Sequence, residues 1–165
     1  MWRAFLAVLF LALTSAPFVL GCDADTKASV NKALGRYRAY DGAADGAKQI
    51  ADATATAKAT NKRVLVQFGG NWCIFCKALD ELIENDATLK SLHGNYVAVH
   101  VDAGANPALD EVYGKPYELG FPVLLVLDGE GKLLHTQPST AFQLPTAVGH
   151  NPAGVAAFLK EWKVP

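Results

Sequence analysis

Residues 63–77 read Arg-Val-Leu-Val-Gln-Phe-Gly-Gly-Asn-Trp-Cys-Ile-Phe-Cys-Lys. The first six form a near-continuous apolar run, the pattern of a central strand covered on both faces. Gly69-Gly70-Asn71 is a loop. From Trp72 to about Asn85 the spacing turns helical, with Leu79, Leu82 and Ile83 on one face. A Cys-x-x-Cys pair therefore sits where a buried strand passes through a glycine loop into a helix. Cys73 falls at the helix N-terminus, where unpaired N–H groups and the positive dipole end favour a thiolate. Such sites lower a thiol pKa from about 8.5 to between roughly 3.5 and 7.5. Cys76 lies about one turn further on, close enough for a disulfide and more deeply set. Cys73 is the expected nucleophile and Cys76 the expected resolving thiol.

The flanks extend an α/β pattern. Residues 47–60 read as an Ala-rich helix whose large apolar residue is Ile50. Arg36-Tyr37-Arg38-Ala39-Tyr40 alternates and predicts a short first strand. Asp86 can cap a short helix to Leu92. Residues 96–101 (Tyr-Val-Ala-Val-His-Val) predict a second buried strand, and Asn106-Pro107 opens a helix to about Tyr113. Residues 122–127 (Pro-Val-Leu-Leu-Val-Leu) predict a third strand. Asp128-Gly129-Glu130-Gly131 turns the chain into a fourth over 132–136. Residues 137–149 are a long loop, and Asn151-Pro152 caps a last helix facing inward with Val155, Phe158, Leu159 and Trp162. The order β-α-β-α-β-α-β-β-α predicts a sheet that is parallel first and antiparallel at the end.

Composition sets the limits. The chain has 165 residues and a formal charge of −1, which excludes the basic surplus of a nucleic-acid binder. With 51% apolar residues it has the means to build a core. Three cysteines do not make a disulfide scaffold. Half a zinc site would need two more ligands at metal spacing. Only Cys22 and the scattered His93, His100, His135 and His150 remain, so no metal is expected. Haem attachment would need His where Lys77 stands, and the one Met is the initiator, so no Met cluster supports copper relay. A purely structural disulfide is the competing reading, and the strand–loop–helix placement argues against it.

From residue 41 to about 164 the chain resembles the thioredoxin family, on the residues quoted above and on Gly120-Phe121-Pro122-Val123, which matches that family's second signature. The likeness is nearest to its bacterial extracytoplasmic branch, including the C-terminal domain of the membrane thiol:disulfide interchange protein. It implies a thioredoxin-like α/β fold with a central mixed sheet flanked by helices on both faces. It implies that Pro122 is cis and lies beside the cysteine pair, with the Phe121 backbone available to an extended substrate segment and Trp72 as a flat lid. The cysteine pair itself would be the redox group, with no dissociable cofactor. Two departures stand out. The family often has a buried Asp where Gln67 stands and a Lys where Ala98 stands, so the proton from the resolving thiol would go to water or to a carboxylate such as Glu81. The Ile74-Phe75 dipeptide has no His or Pro, which points towards reductase or isomerase work rather than strong oxidation.

Upstream, Arg3 is the only charge before Asp23, and residues 4–13 are an unbroken apolar run. Residues 1–21 read as a secretory signal peptide. Val19-Leu20-Gly21-Cys22 resembles the lipobox of bacterial lipoproteins, which implies acyl chains on Cys22; Asp23 resembles an inner-membrane retention signal. Residues 22–40 form a tether and N-terminal extension. The polar stretch 23–35 reaches at most about 43–47 Å. The domain proper is 41–165. The expectation is an extracytoplasmic lipoprotein on the periplasmic side, exchanging with protein thiols and disulfides and with a membrane thiol carrier. A lipid-anchored binding module with the same fold and a structural disulfide is the alternative.

Overall fold

The computed structural model describes residues 32, 34, 35 and 37–165. The signal segment, Cys22 and most of the expected tether lie outside the described residues. In chain order come α1 (Gly46–Thr60), β1 (Arg63–Gly69), α2 (Ile74–Asn85), α3 (Ala87–His93), β2 (Tyr96–Asp102) and α4 (Ala108–Val112). A 3₁₀ turn (Pro116–Leu119), β3 (Val123–Leu127), β4 (Leu133–Pro138), a second 3₁₀ turn (Ser139–Phe142) and α5 (Pro152–Glu161) complete it.

The strands form one sheet in the order β2-β1-β3-β4. β1 pairs parallel with β2 and antiparallel with β3, and β3 pairs antiparallel with β4. The mixed sheet follows from the chain path: a helical crossover returns β2 parallel to β1, whereas the tight 128–131 turn can only return β4 antiparallel. That turn is held by Asp128, whose Oδ1 accepts from the N–H groups of Glu130 and Lys132, each at 2.9 Å.

Period-2 alternation gives β1 two apolar faces. Val64, Val66 and Phe68 pack with Val123, Leu125 and Leu127 under α1 and α4, against Ile50, Ala53, Ala57 and Leu109. Leu65 packs with Leu124 and Val126 under α2, α3 and α5, against Leu79, Ile83, Leu89, Val155, Phe158 and Leu159. The small face of α1 lets that helix lie close to the strands. Helix starts are capped by side chains: Asp45 accepts from Lys48 N–H, Asp86 from Thr88 and Leu89, Asn151 from Ala153.

Three expectations are corrected. Residues 37–40 are not a strand, because Tyr37 and Tyr40 both turn inward, a spacing of three that a strand cannot satisfy. The backbone of Tyr40 pairs instead with the Asn71 side chain. β2 is not buried throughout: as the sheet edge it has an exposed Ala98 and half-covered neighbours. The loop from 137 is also more ordered than its length suggests. Its start extends β4, and an isolated antiparallel bridge joins Gln143 to His150. Among the described residues no helix is long and apolar enough to cross a membrane.

Candidate active site

The site lies at the C-terminal end of β1. Gly69 closes the strand where no side chain fits: a Cβ there would stand 2.5 Å from Cys76 Sγ and 2.7 Å from the Tyr40 hydroxyl. The loop then tightens, with Cys73 N–H donating to the Gly70 carbonyl at 3.0 Å. Cys73 is the N-cap of α2, and its Sγ accepts the Cys76 backbone N–H at 3.1 Å. The two sulfurs form a disulfide, with Cα atoms 5.2 Å apart. Cys73 is 6% exposed and Cys76 0%, so an incoming group reaches Cys73 first.

Around the pair is an aromatic rim. Trp72 is 54% exposed, with its ring edge-on to Phe121 at 5.4 Å. Phe121 packs against the cluster of Tyr40, Cys73 and Cys76 and touches Tyr117 at 5.4 Å. The Phe121–Pro122 peptide is cis. The structure thus brings Trp72, Cys73, Cys76 and Phe121 into one neighbourhood, with Pro122 next along the chain. On the other side, Phe75 lies 6.2 Å from the ring of His150, which is buried.

Behind the disulfide is a polar network that sequence reading did not assemble. Gln67 Nε2 donates to the Tyr40 hydroxyl and to Asp80 Oδ1, both at 2.9 Å. His100 Nε2 lies 3.0 Å from Asp80 Oδ1, and the Tyr37 hydroxyl donates to Asp80 Oδ2. Gln67 fills its place without charge because an amide NH₂ has two protons for two acceptors. Burial pushes the Asp80 carboxyl up, but the bond and charge of His100, with the bonds from Tyr37 and Gln67, outweigh it and hold the group below the usual carboxylate range. Burial pushes the Tyr37 and Tyr40 phenols far above their ordinary value, and the Asp80 charge adds to this.

Glu81, the carboxylate singled out from sequence, is not the inward one. It pairs with Lys77 on the outer face of α2. Its neighbour Asp80, one turn after Cys76, faces the interior. Helical spacing from Cys76 could have found it, and strand register could have found its partner, because Gln67 and His100 are directly paired across β1 and β2. Among the described residues no three His, Cys, Asp or Glu side chains are grouped to hold a metal.

A slightly exposed sulfur on a helix cap, linked to a fully covered partner sulfur one turn in, gives a thiolate one place to attack and a leaving group held in reach. The fold and the pair together define a thiol:disulfide oxidoreductase of the thioredoxin type. A family model described as thioredoxin-like matches residues 45–129, and the chain belongs to that family.

The relatives agree. The chain is similar to the thiol:disulfide interchange protein DsbD of Ralstonia nicotianae, 27% identical over 133 residues, 73% of this chain and 22% of that protein. The DsbD of Salmonella typhi is 30% identical over 79 residues, 47% of this chain and 14% of that one. The chain therefore spans about a fifth or less of the length of these relatives. Among solved structures it is similar to a disulphide isomerase from Xylella fastidiosa, at 30% identity and a TM-score of 0.66, covering 77% of this chain and 98% of that one.

Proposed function

We propose that the chain exchanges thiols and disulfides with protein partners outside the cytoplasm, through the Trp72-Cys73-Ile74-Phe75-Cys76-Lys77 motif, as a reductase or isomerase rather than a strong oxidase. The observation that carries this is the unequal cover of the two sulfurs, with Cys73 on the helix cap. In the reducing direction the Cys73 thiolate attacks a partner disulfide. One partner sulfur leaves as thiolate, and a mixed disulfide joins Cys73 to the other. The Cys76 thiolate then attacks Cys73 Sγ, the mixed disulfide breaks, and the second partner thiolate departs. The two electrons lost by the cysteines are those gained by the partner, so no dissociable cofactor is required.

The exposed Trp72 and the Phe121–Pro122 peptide support a role in seating an extended partner segment beside Cys73. The leader-like residues 1–21 and the lipobox-like run to Cys22 support export and membrane attachment on the periplasmic side of the inner membrane. The interchange proteins among the relatives support a membrane thiol carrier as the source or sink of electrons.

The test is the redox equilibrium of the Cys73–Cys76 pair against glutathione and dithiothreitol, read by thiol trapping and Trp72 fluorescence. A potential between about −270 and −120 mV supports a working catalyst, and its place in that window gives the direction. A value well below about −300 mV, or no exchange, means a structural bond and the binding-module reading. Insulin reduction that is as fast with Cys73→Ser as with the native chain would also end the proposal. Metabolic labelling with a tagged fatty acid tests Cys22, and a native chain without label would remove the lipid anchor.

A further inference from the structure

We propose that residues 37–40, just upstream of the residues that the family model matches, complete the redox site, and that the Tyr40 hydroxyl hydrogen-bonds the Cys76 sulfur when the disulfide opens. The inference rests on the exchange reaction proposed above and adds a residue to it. The family model matches from residue 45, so this segment lies just before the matched residues.

Three observations place it in the site. First, the loop that carries the cysteines grips the segment. Asn71 Oδ1 accepts the Tyr40 N–H at 3.1 Å, and Asn71 Nδ2 donates to the Tyr40 carbonyl at 2.7 Å. Second, Tyr40 is buried in one cluster with Cys73 and Cys76, with Tyr37 packed on it. Third, the Cys76 sulfur and the Tyr40 hydroxyl both border the space that Gly69 leaves open, 2.5 and 2.7 Å from where a Cβ would be. The ring is held from behind by His100, edge-on at 5.1 Å. The hydroxyl already accepts from Gln67 Nε2, so its own proton points away from Gln67.

The chemistry needs a donor at this point. When a partner thiolate attacks Cys73 Sγ, the S–S electrons leave on Cys76. That sulfur then carries a full charge in a place with no access to solvent. Asp80 on α2 and Asp102 on β2 face the same tyrosine and add negative charge, while Gln67 donates to its hydroxyl and His100 lies beside Asp80. A phenol O–H that turns to the sulfur as the disulfide opens would offset part of that cost without giving up its proton, so the products are a mixed disulfide and a hydrogen-bonded Cys76 thiolate.

The experiment compares the full chain with its Tyr40→Phe variant, which keeps the ring and deletes the donor. Dithiothreitol reduces each, and the rate is followed by Trp72 fluorescence; the reduced proteins are titrated by thiolate absorbance. The variant is expected to open roughly tenfold more slowly, the size of one hydrogen bond to a charged atom, with Cys76 titrating higher; the denaturation midpoint falls as well, because Gln67 Nε2 loses an acceptor. Equal rates and equal titrations would overturn the proposal and leave Tyr40 as packing alone. Should Tyr40→Phe not fold, Asn71→Ala unclasps the segment and reads the same rate; an unchanged rate there overturns it too. Failure of the exchange reaction itself looks different, because the native chain would then not open at all.

Discussion

His100 Nε2 and Asp80 Oδ1 lie 3.0 Å apart behind the disulfide, tying the edge strand β2 to the helix that carries Cys76. Asp80 accepts from Tyr37 and Gln67 as well, so one carboxylate gathers three elements. Replacing it by Asn is expected to destabilise the fold by about 1–3 kcal/mol at pH 7. Because the folded-state pKa lies below the ordinary value, this stability is present above about pH 4 and is lost as the pH falls through the folded-state value. Urea denaturation of both proteins from pH 7 to pH 3 should show the gap closing on the acid side. A gap that stays constant would mean the carboxylate charge contributes nothing.

His150 is 3% exposed, and neither ring nitrogen makes a hydrogen bond among the described residues. Burial pushes its pKa below the usual 6.5, so folding favours the neutral ring. Its share of stability is full above about pH 6.5 and declines as the pH falls from there through the folded-state value, by at most about 1.4 kcal/mol per pH unit. His93, also pushed down by burial, adds a parallel slope. The His150→Leu variant should therefore be flatter than the native chain between pH 7 and pH 5, without being flat. Identical slopes would show that His150 reaches a partner outside these contacts.

Gly69→Ala tests the crowding between Cys76 and Tyr40. The added methyl would overlap both, and neither is the free end of a flexible chain. A loss of about 1–3 kcal/mol is expected, with slower disulfide opening in dithiothreitol. Native-like stability would mean that the strand end is looser than its contacts imply.

Trp72 stands mostly in solvent and rests by its edge on Phe121. Trp72→Ala should cost about 1–3 kcal/mol, because nearly half of the residue is covered. Exchange with a protein disulfide should fall several-fold, while exchange with dithiothreitol, which has no chain to seat, stays near native. Equal losses with both substrates would place the effect on the disulfide rather than on partner binding.

The sheet and the redox pair were legible because both rest on short-range signals. The apolar run before Gly69 and the helical spacing after Trp72 each determine a local structure, and Cys73 falls on their boundary. Asp80 was not legible, since its role depends on Tyr37, Gln67 and His100, which come from three other places in the chain. Tyr40 misled in a different way. The alternation read over residues 36–40 suits a strand, yet no strand neighbour is there, and the Asn71 side chain takes the backbone groups of Tyr40 instead. β2 carried the apolar residues of a buried strand, and only the strand order shows that it is an edge.

The clasp between Asn71 and Tyr40 also fixes where the domain is held. Whatever lies upstream of Tyr37 joins the fold beside the cysteines, at the pole where Trp72 projects, and not at the far pole where β3 turns into β4. A pull or an attachment from that side would act on the reactive end of the molecule.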